Sequence, residues 1–183
     1  MKIHFIGIGG IGVSALSQYY LSKGHIVSGS DLVSSEITDY LKKLGIKILI
    51  GEHKESNLPE NVNLVIYSPA VKKDNPELSQ VRHLTPNTQH PKVMSYPEAL
   101  GDLTKQYFTI AVSGTHGKST TTSMLSLVLI RAGLNPTVIM GTKLKEFSRE
   151  RDPVTREATN FKAGSSKILV IEADEHFASF LNY

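Results

Sequence analysis

The chain has 183 residues, which at the usual size of roughly 100–200 residues per domain gives one domain or somewhat more. Its composition is that of an ordinary globular protein, and a net charge of +3, from 20 Lys and Arg against 17 Asp and Glu, is too mild to point to nucleic acid. There is no cysteine, which excludes a disulfide framework and a thiolate metal site, and no apolar run approaches the ~20 residues of a membrane span. The first residues enter a strand and a glycine loop directly, without the charged and apolar regions of a signal peptide, so a cytoplasmic protein is expected.

Lys2-Ile3-His4-Phe5-Ile6 reads as the first strand, and Gly7-Ile8-Gly9-Gly10-Ile11-Gly12 follows at once in the pattern G-x-G-x-x-G. Val13, Leu16, Ser17 and Tyr20 recur at helical spacing, and Gly24 suits the left-handed position that ends a helix. Ile26 to Asp31 is the second strand, with an acidic residue 19 positions after Gly12. Strand, glycine loop, helix and strand-end carboxylate make a complete βαβ unit that suits the diphosphate of a nucleotide, without specifying a nicotinamide one.

Ser34 or Ser35 can cap a second helix, whose stripe is Ile37, Tyr40, Leu41 and Leu44 and whose stop is Gly45. Strands are expected at Lys47–Ile50 and Leu64–Tyr67, joined by a polar, turn-rich loop in which His53 is read as solvent-exposed. Ser68-Pro69-Ala70-Val71 leaves the fourth strand on the edge that carries Gly9 to Gly12 and Asp31, where open α/β sheets gather ligands. Asn75-Pro76-Glu77 reads as a cap with proline at the first helical position. Residues 82–91 read as a surface loop in which His83 and His90 have no evident partner, Lys92-Val93-Met94 as an edge strand, and Tyr96 as the start of a short helix. The first domain should close near residue 105.

Phe108 to Val112 reads as a buried strand and runs into Ser113-Gly114-Thr115-His116-Gly117-Lys118-Ser119-Thr120. Glycines let backbone N–H groups turn inward, and the helix start that follows faces an anion. Lys118 can reach outer phosphates, and Ser119 places a hydroxyl where Mg²⁺ would sit. The strict G-x-x-x-x-G-K-[ST] pattern wants glycine at 112, where Val112 stands. Met124, Leu125, Val128, Leu129 and Ala132 are expected as the buried stripe of the next helix, which Gly133 ends. A strand should span Pro136 to Met140, residues 141–166 should be a loop or β-excursion, and Lys167 to Ile171 should be a strand. Glu172-Ala173-Asp174-Glu175 then offers a carboxylate to a nucleotide-bound Mg²⁺, with Glu172 the leading candidate and Asp174 and Glu175 behind it.

The compact form Gly114-Thr115-His116-Gly117-Lys118-Ser119-Thr120, together with Gly7 to Ser14, Ser30-Asp31 and Glu172-Ala173-Asp174-Glu175, resembles the Mur ligase family over the whole chain. Asn75-Pro76-Glu77 and Ser179-Phe180-Leu181 are similar to it as well. The resemblance implies an α/β fold: a Rossmann-like parallel-sheet domain over 1–105 and a truncated P-loop α/β domain over 106–183. Gly9, Gly10, Ile11, Gly12, Asp31, Ser68 and Ala70 would belong to a UDP-sugar site. Gly114 to Thr120 would hold the phosphates of ATP, Lys118 would be catalytic, and Ser119 and Glu172 would share Mg²⁺.

The implied reaction joins the lactyl carboxylate of UDP-N-acetylmuramate to L-alanine through an acyl phosphate, in cell-wall precursor synthesis. A family member that attaches a tripeptide to the same sugar nucleotide shares both motifs, and a non-catalytic UDP-sugar-binding module is a further alternative. Ser119 replaces the more usual threonine, His176-Phe177 stands where Ser-Asp is usual, and residues 143–158 are longer and more charged than that region usually is. In the family the central domain continues and a third domain brings the amino acid, so this chain alone is expected to have little ligase activity.

Overall fold

The structure is a computed structural model, and it describes residues 1–83, 91–147 and 157–173. The chain divides into two compact units, Met1–Tyr96 and Pro97–Tyr183. His90, Asp174, Glu175, His176-Phe177 and Ser179-Phe180-Leu181 lie outside the described residues, as does the His83 side chain. Among the described residues, no helix is long and apolar enough to cross a membrane.

The first unit is built on an all-parallel sheet of β1 (Lys2–Ile6), β2 (Ile26–Asp31), β3 (Lys47–Ile50), β4 (Leu64–Tyr67) and β5 (Lys92–Ser95), in the order β3-β2-β1-β4-β5. Central strands of such a sheet are covered on both faces. Hence β1 buries Ile3, His4, Phe5 and Ile6 in succession, and β4 buries Leu64, Val65 and Ile66. The chain moves outward through β1, β2 and β3, then crosses back to β4 beside β1. That reversal puts the switch point, the usual ligand crevice of an open α/β sheet, at the carboxyl ends of β1 and β4.

Helix ends follow from local chemistry. α1 (Ile11–Ser22) and α2 (Glu36–Lys43) are followed by Gly24 and Gly45 at φ +79° and +90°, a conformation glycine adopts without a Cβ penalty. Ser35 caps α2 in a reciprocal box: its Oγ accepts the Thr38 N–H at 3.3 Å, and its own N–H donates to Thr38 Oγ1 at 2.8 Å. α3 (Pro76–His83) starts under Asn75, whose Oδ1 accepts the Glu77 N–H at 2.9 Å. Leu78 and Val81 of α3 pack with Ile6, Val62 and Val65 as one core on that side of the sheet.

The division between the units falls at the start of α4 (Tyr96–Thr104). The second unit holds β6 (Phe108–Val112), α5 (Lys118–Arg131), β7 (Thr137–Leu144), β8 (Thr159–Lys162) and β9 (Ile168–Glu172). Its sheet runs β6-β9-β7-β8, parallel except where β8 pairs antiparallel with β7. Val138, Met140, Phe147 and Val170 form its core, with Leu125 and Leu129 of α5 packed against them.

Three expectations change here. β6 is not a buried strand: it lies at the sheet edge, and Phe108 is 72% exposed. The buried stripe of α5 is rotated. Met124 and Val128 are 64% and 62% exposed and Ala132 is exposed, while the small residues Thr122 and Ser126 are the buried ones. A helix apolar on two faces offers two stripes at the same period, and periodicity alone cannot say which faces the sheet. Finally, the strand expected over 136–140 continues to Leu144, and the excursion after it includes the antiparallel return β8.

Ser35→Ala should cost about 1 kcal/mol by removing the α2 cap, read as a lower urea midpoint with an unchanged slope.

Candidate functional site

Parallel register brings the first set of residues together. Ile6 is paired with Ser30 on one side and Tyr67 on the other, so Gly7, Asp31 and Ser68 come next to one another at the carboxyl edge of the sheet. The Gly7 and Ile8 N–H groups donate to the Ser30 carbonyl at 2.9 and 3.1 Å, and the Gly9 N–H donates to Asp31 Oδ2 at 2.8 Å. A Cβ on Gly9 would lie 2.9 Å from that carboxylate, and one on Gly12 would lie 2.7 Å from the Tyr96 ring. Ser68 closes a tight turn, its carbonyl accepting the Val71 N–H at 2.9 Å and its Oγ the Ala70 N–H at 3.3 Å. Gly10 is the N-cap of α1 and has no side chain to cap it, and the first turn carries no acidic residue. First-turn N–H groups have no acceptor within their helix, so this end suits an anion. The capped and acidic start of α2 shows the contrary arrangement.

The second set is organised by the pairing of Val112 with Glu172. It places the last residue of β9 beside the strand that feeds the loop Ser113–Gly117, which is exposed throughout. Gly114 and Gly117 have φ of +149° and +76°, and Gly117 is the N-cap of α5, again with no capping side chain and no acidic first turn. Lys118 Nζ donates to the Gly114 carbonyl at 2.8 Å, so the ammonium folds over its own loop. Ser119 Oγ donates to Glu172 Oε1 at 2.7 Å, and the Gly141 N–H donates to Glu172 Oε2 at 2.9 Å. Thr115, His116 and Thr120 are exposed around the same loop.

Hydroxyl and carboxylate are hard oxygen donors, the type that Mg²⁺ takes alongside phosphate oxygens and water. The pair Ser119 and Glu172, in mutual contact beside a helix N-terminus, therefore fits such an ion. Among the described residues, no group of three or more His, Cys, Asp or Glu could hold a metal on protein ligands alone.

One cluster was not anticipated. Glu77 is fully buried and its carboxylate accepts four hydrogen bonds: His4 Nε2 at 2.9 Å and Ser30 Oγ at 2.9 Å on Oε2, His53 Nδ1 at 2.6 Å and Asn57 Nδ2 at 3.1 Å on Oε1. His4 Nδ1 meets Ser28 Oγ at 2.9 Å. His53 is thus not the exposed residue expected; its side chain is 11% exposed and tied to the carboxylate. The signal was present in the strand period, because His4 shares a face of β1 with Ile6 and is the register partner of Ser28. Burial acts to raise the Glu77 pKa. The hydrogen bonds from His4, His53, Asn57 and Ser30 outweigh it and hold the carboxyl below its ordinary value.

A glycine loop against an uncapped helix at the switch point of a parallel sheet, and a second loop ending in Lys-Ser beside a strand-end carboxylate, are the build of phosphate-binding α/β proteins. The chain belongs to the Mur ligase family: the family model described as "Mur ligase family, catalytic domain" matches residues 2–108. It is 47% identical over 180 residues to the UDP-N-acetylmuramate–L-alanine ligase of Aquifex aeolicus, covering 98% of this chain and 36% of that protein. The UDP-N-acetylmuramate–alanine ligase structure from Thermotoga maritima superposes with a TM-score of 0.79 at 32% identity, over 100% of this chain and 44% of that one. The UDP-N-acetylmuramate:L-alanyl-γ-D-glutamyl-meso-diaminopimelate ligase of Neisseria meningitides gives 0.79 at 28% identity, over 100% and 57%. The chain spans about a third of the length of the curated relatives it matches.

The lowered pKa of Glu77 carries a pH dependence with a definite sign. The stability it contributes is present above the unfolded carboxylate value of 4.5 and is lost as pH falls through the lower folded value. Glu77→Gln should therefore be less stable at neutral pH and lose less stability on acidification below pH 4.5 than the parent. Denaturant midpoints measured between neutral and acid pH check this.

Proposed function

We propose that this chain is the sugar-nucleotide-binding and ATP-phosphate-binding part of an ATP-dependent ligase that joins UDP-N-acetylmuramate to L-alanine. The single observation that carries the reading is the contact of Ser119 Oγ with Glu172 Oε1 at 2.7 Å, beside the uncapped start of α5. A glycine turn that served only packing would need neither Lys118 nor a carboxylate on the next strand.

Residues 1–105 would form the UDP-sugar domain and 106–183 part of the ATP domain. Gly9, Gly10, Ile11 and Gly12 would receive the diphosphate at the start of α1, with Ser68 and Ala70 on the neighbouring loop. Asp31 shapes this cradle by holding the Gly9 N–H. Gly114 to Thr120 would surround the phosphates of ATP. Lys118 would leave the Gly114 carbonyl to neutralise charge on the transferring phosphoryl group, the largest lever in this chemistry. Ser119 and Glu172 would hold Mg²⁺, which when bound supplies further charge neutralisation at the phosphates. The lactyl carboxylate oxygen would attack the γ-phosphorus as its bond to the bridging oxygen breaks and ADP leaves. The amine would then attack the acyl carbon, releasing phosphate and a proton.

A peptide in place of L-alanine is the second reading, supported by the equal TM-score of the Neisseria neighbour. Against it, eight curated relatives at 41–47% identity are named for L-alanine.

Titration calorimetry on the chain tests the reading. UDP-N-acetylmuramate and Mg-ATP should each bind, and NADH should not. Lys118→Ala should weaken Mg-ATP at least tenfold, about 1.4 kcal/mol, while leaving the sugar nucleotide unaffected. Sugar-nucleotide binding without any ATP affinity would favour a non-catalytic binding module. NADH binding in place of both would sink the ligase reading.

A further inference from the structure

The cluster around Glu77 touches no residue assigned to the cradles, yet it is joined to one of them through a single residue. Ser30 faces both ways. Its carbonyl accepts the N–H groups of Gly7 and Ile8, and its hydroxyl donates to Glu77 Oε2 at 2.9 Å. The next residue, Asp31, holds the Gly9 N–H. Three successive N–H groups of the glycine loop therefore end on residues 30 and 31, and the hydroxyl of residue 30 ends on a buried carboxylate.

The other arms of that carboxylate reach different segments. His4 belongs to β1, whose last residue precedes the loop, and His53 and Asn57 belong to the crossover between β3 and β4. Glu77 itself sits in the first turn of α3, at the end of the chain segment that leaves Ser68 and Ala70. A buried carboxylate with four donors on three different segments is held from several directions, and each donor lost removes part of what compensates its charge in the interior. A group so fixed can transmit its position.

We propose that Glu77 is a positioning residue for the sugar-nucleotide cradle, acting through Ser30 to hold the end of β2 on which the glycine loop is anchored. The inference rests on the reading of that cradle as the UDP-sugar site. Glu77 does not touch the ligand; it keeps Gly7, Ile8 and Gly9 in the conformation that presents the start of α1.

Two variants test it in the full chain: Glu77→Gln, which converts the shared acceptor into an amide, and Ser30→Ala, which removes the link together with the 3.3 Å contact of Ser30 Oγ with His53 Nδ1 and leaves His4, His53 and Asn57 on the carboxylate. Amide hydrogen exchange in the ligand-free protein, measured by NMR, should speed up at least tenfold at Gly7, Ile8 and Gly9 in both variants. The β4 amides should change less in Ser30→Ala. Calorimetry should show UDP-N-acetylmuramate bound at least tenfold more weakly by Glu77→Gln and at least threefold more weakly by Ser30→Ala, with Mg-ATP affinity unchanged. A merely structural Glu77 would lower the melting temperature while leaving loop exchange and sugar-nucleotide affinity at parent values in Ser30→Ala, and that result overturns the proposal. If Glu77→Gln does not fold, Ser30→Ala alone decides. If the parent chain binds no sugar nucleotide, the functional reading fails, and the exchange data still decide whether Glu77 positions the loop.

Discussion

The N–H groups in the first turn of an α-helix have no acceptor inside the helix, and what meets them decides what the helix end can do. In this chain α2 is closed by the Ser35–Thr38 box, and α3 by the Asn75 side chain. α1 and α5 instead begin at Gly10 and Gly117, with no capping side chain and no acidic first turn. Both follow a strand that pairs parallel with its neighbour, so both helix starts open at the carboxyl end of that strand. This leaves two helix ends suited to an anion, each begun by a glycine in place of a side-chain cap.

Each of these helix starts is preceded by a glycine loop, and glycines, without side chains to pack, are held by hydrogen bonds to their neighbours. The two units solve this with a carboxylate. Asp31 takes the Gly9 N–H in the first. In the second, Glu172 bridges Ser119 and the Gly141 N–H, while Lys118 folds back onto the Gly114 carbonyl. The second arrangement is satisfied within itself, and its ammonium, hydroxyl and carboxylate are group types that elsewhere pair with phosphate or with a hard cation.

Behind the first cradle lies a polar vein inside an apolar sheet face. His4, Ser30 and Glu77 are buried beside Val65, Ile6 and Leu78, where burial alone would favour aliphatic side chains, and the half-buried Ser28, His53 and Asn57 bond to them. Replacing such a network by well-packed apolar groups often costs nothing in stability. Its presence beside the loop anchor is therefore better explained by the geometry it imposes on Ser30 than by the stability it adds.

Much of the fold was legible from local pattern. Strand and helix periods, glycine stops after α1, α2 and α5, and the cap at Asn75 are short-range features set by backbone sterics and by side chains within four residues. The carboxyl-end rule of open α/β sheets also implied that the Gly9 to Gly12 loop, Asp31 and the Ser68 loop would share one edge. Tertiary structure decided the rest, because it turned on partners far apart in sequence. Glu77 found His4 across 73 residues, Ser119 found Glu172 across 53, and α5 buried Thr122 and Ser126 while leaving Met124 and Val128 exposed. The sequence by itself determined which segments would form and where their loops would open. Which buried charge would brace which loop was settled only by packing, since a carboxylate has no preferred partner until the fold removes water from around it.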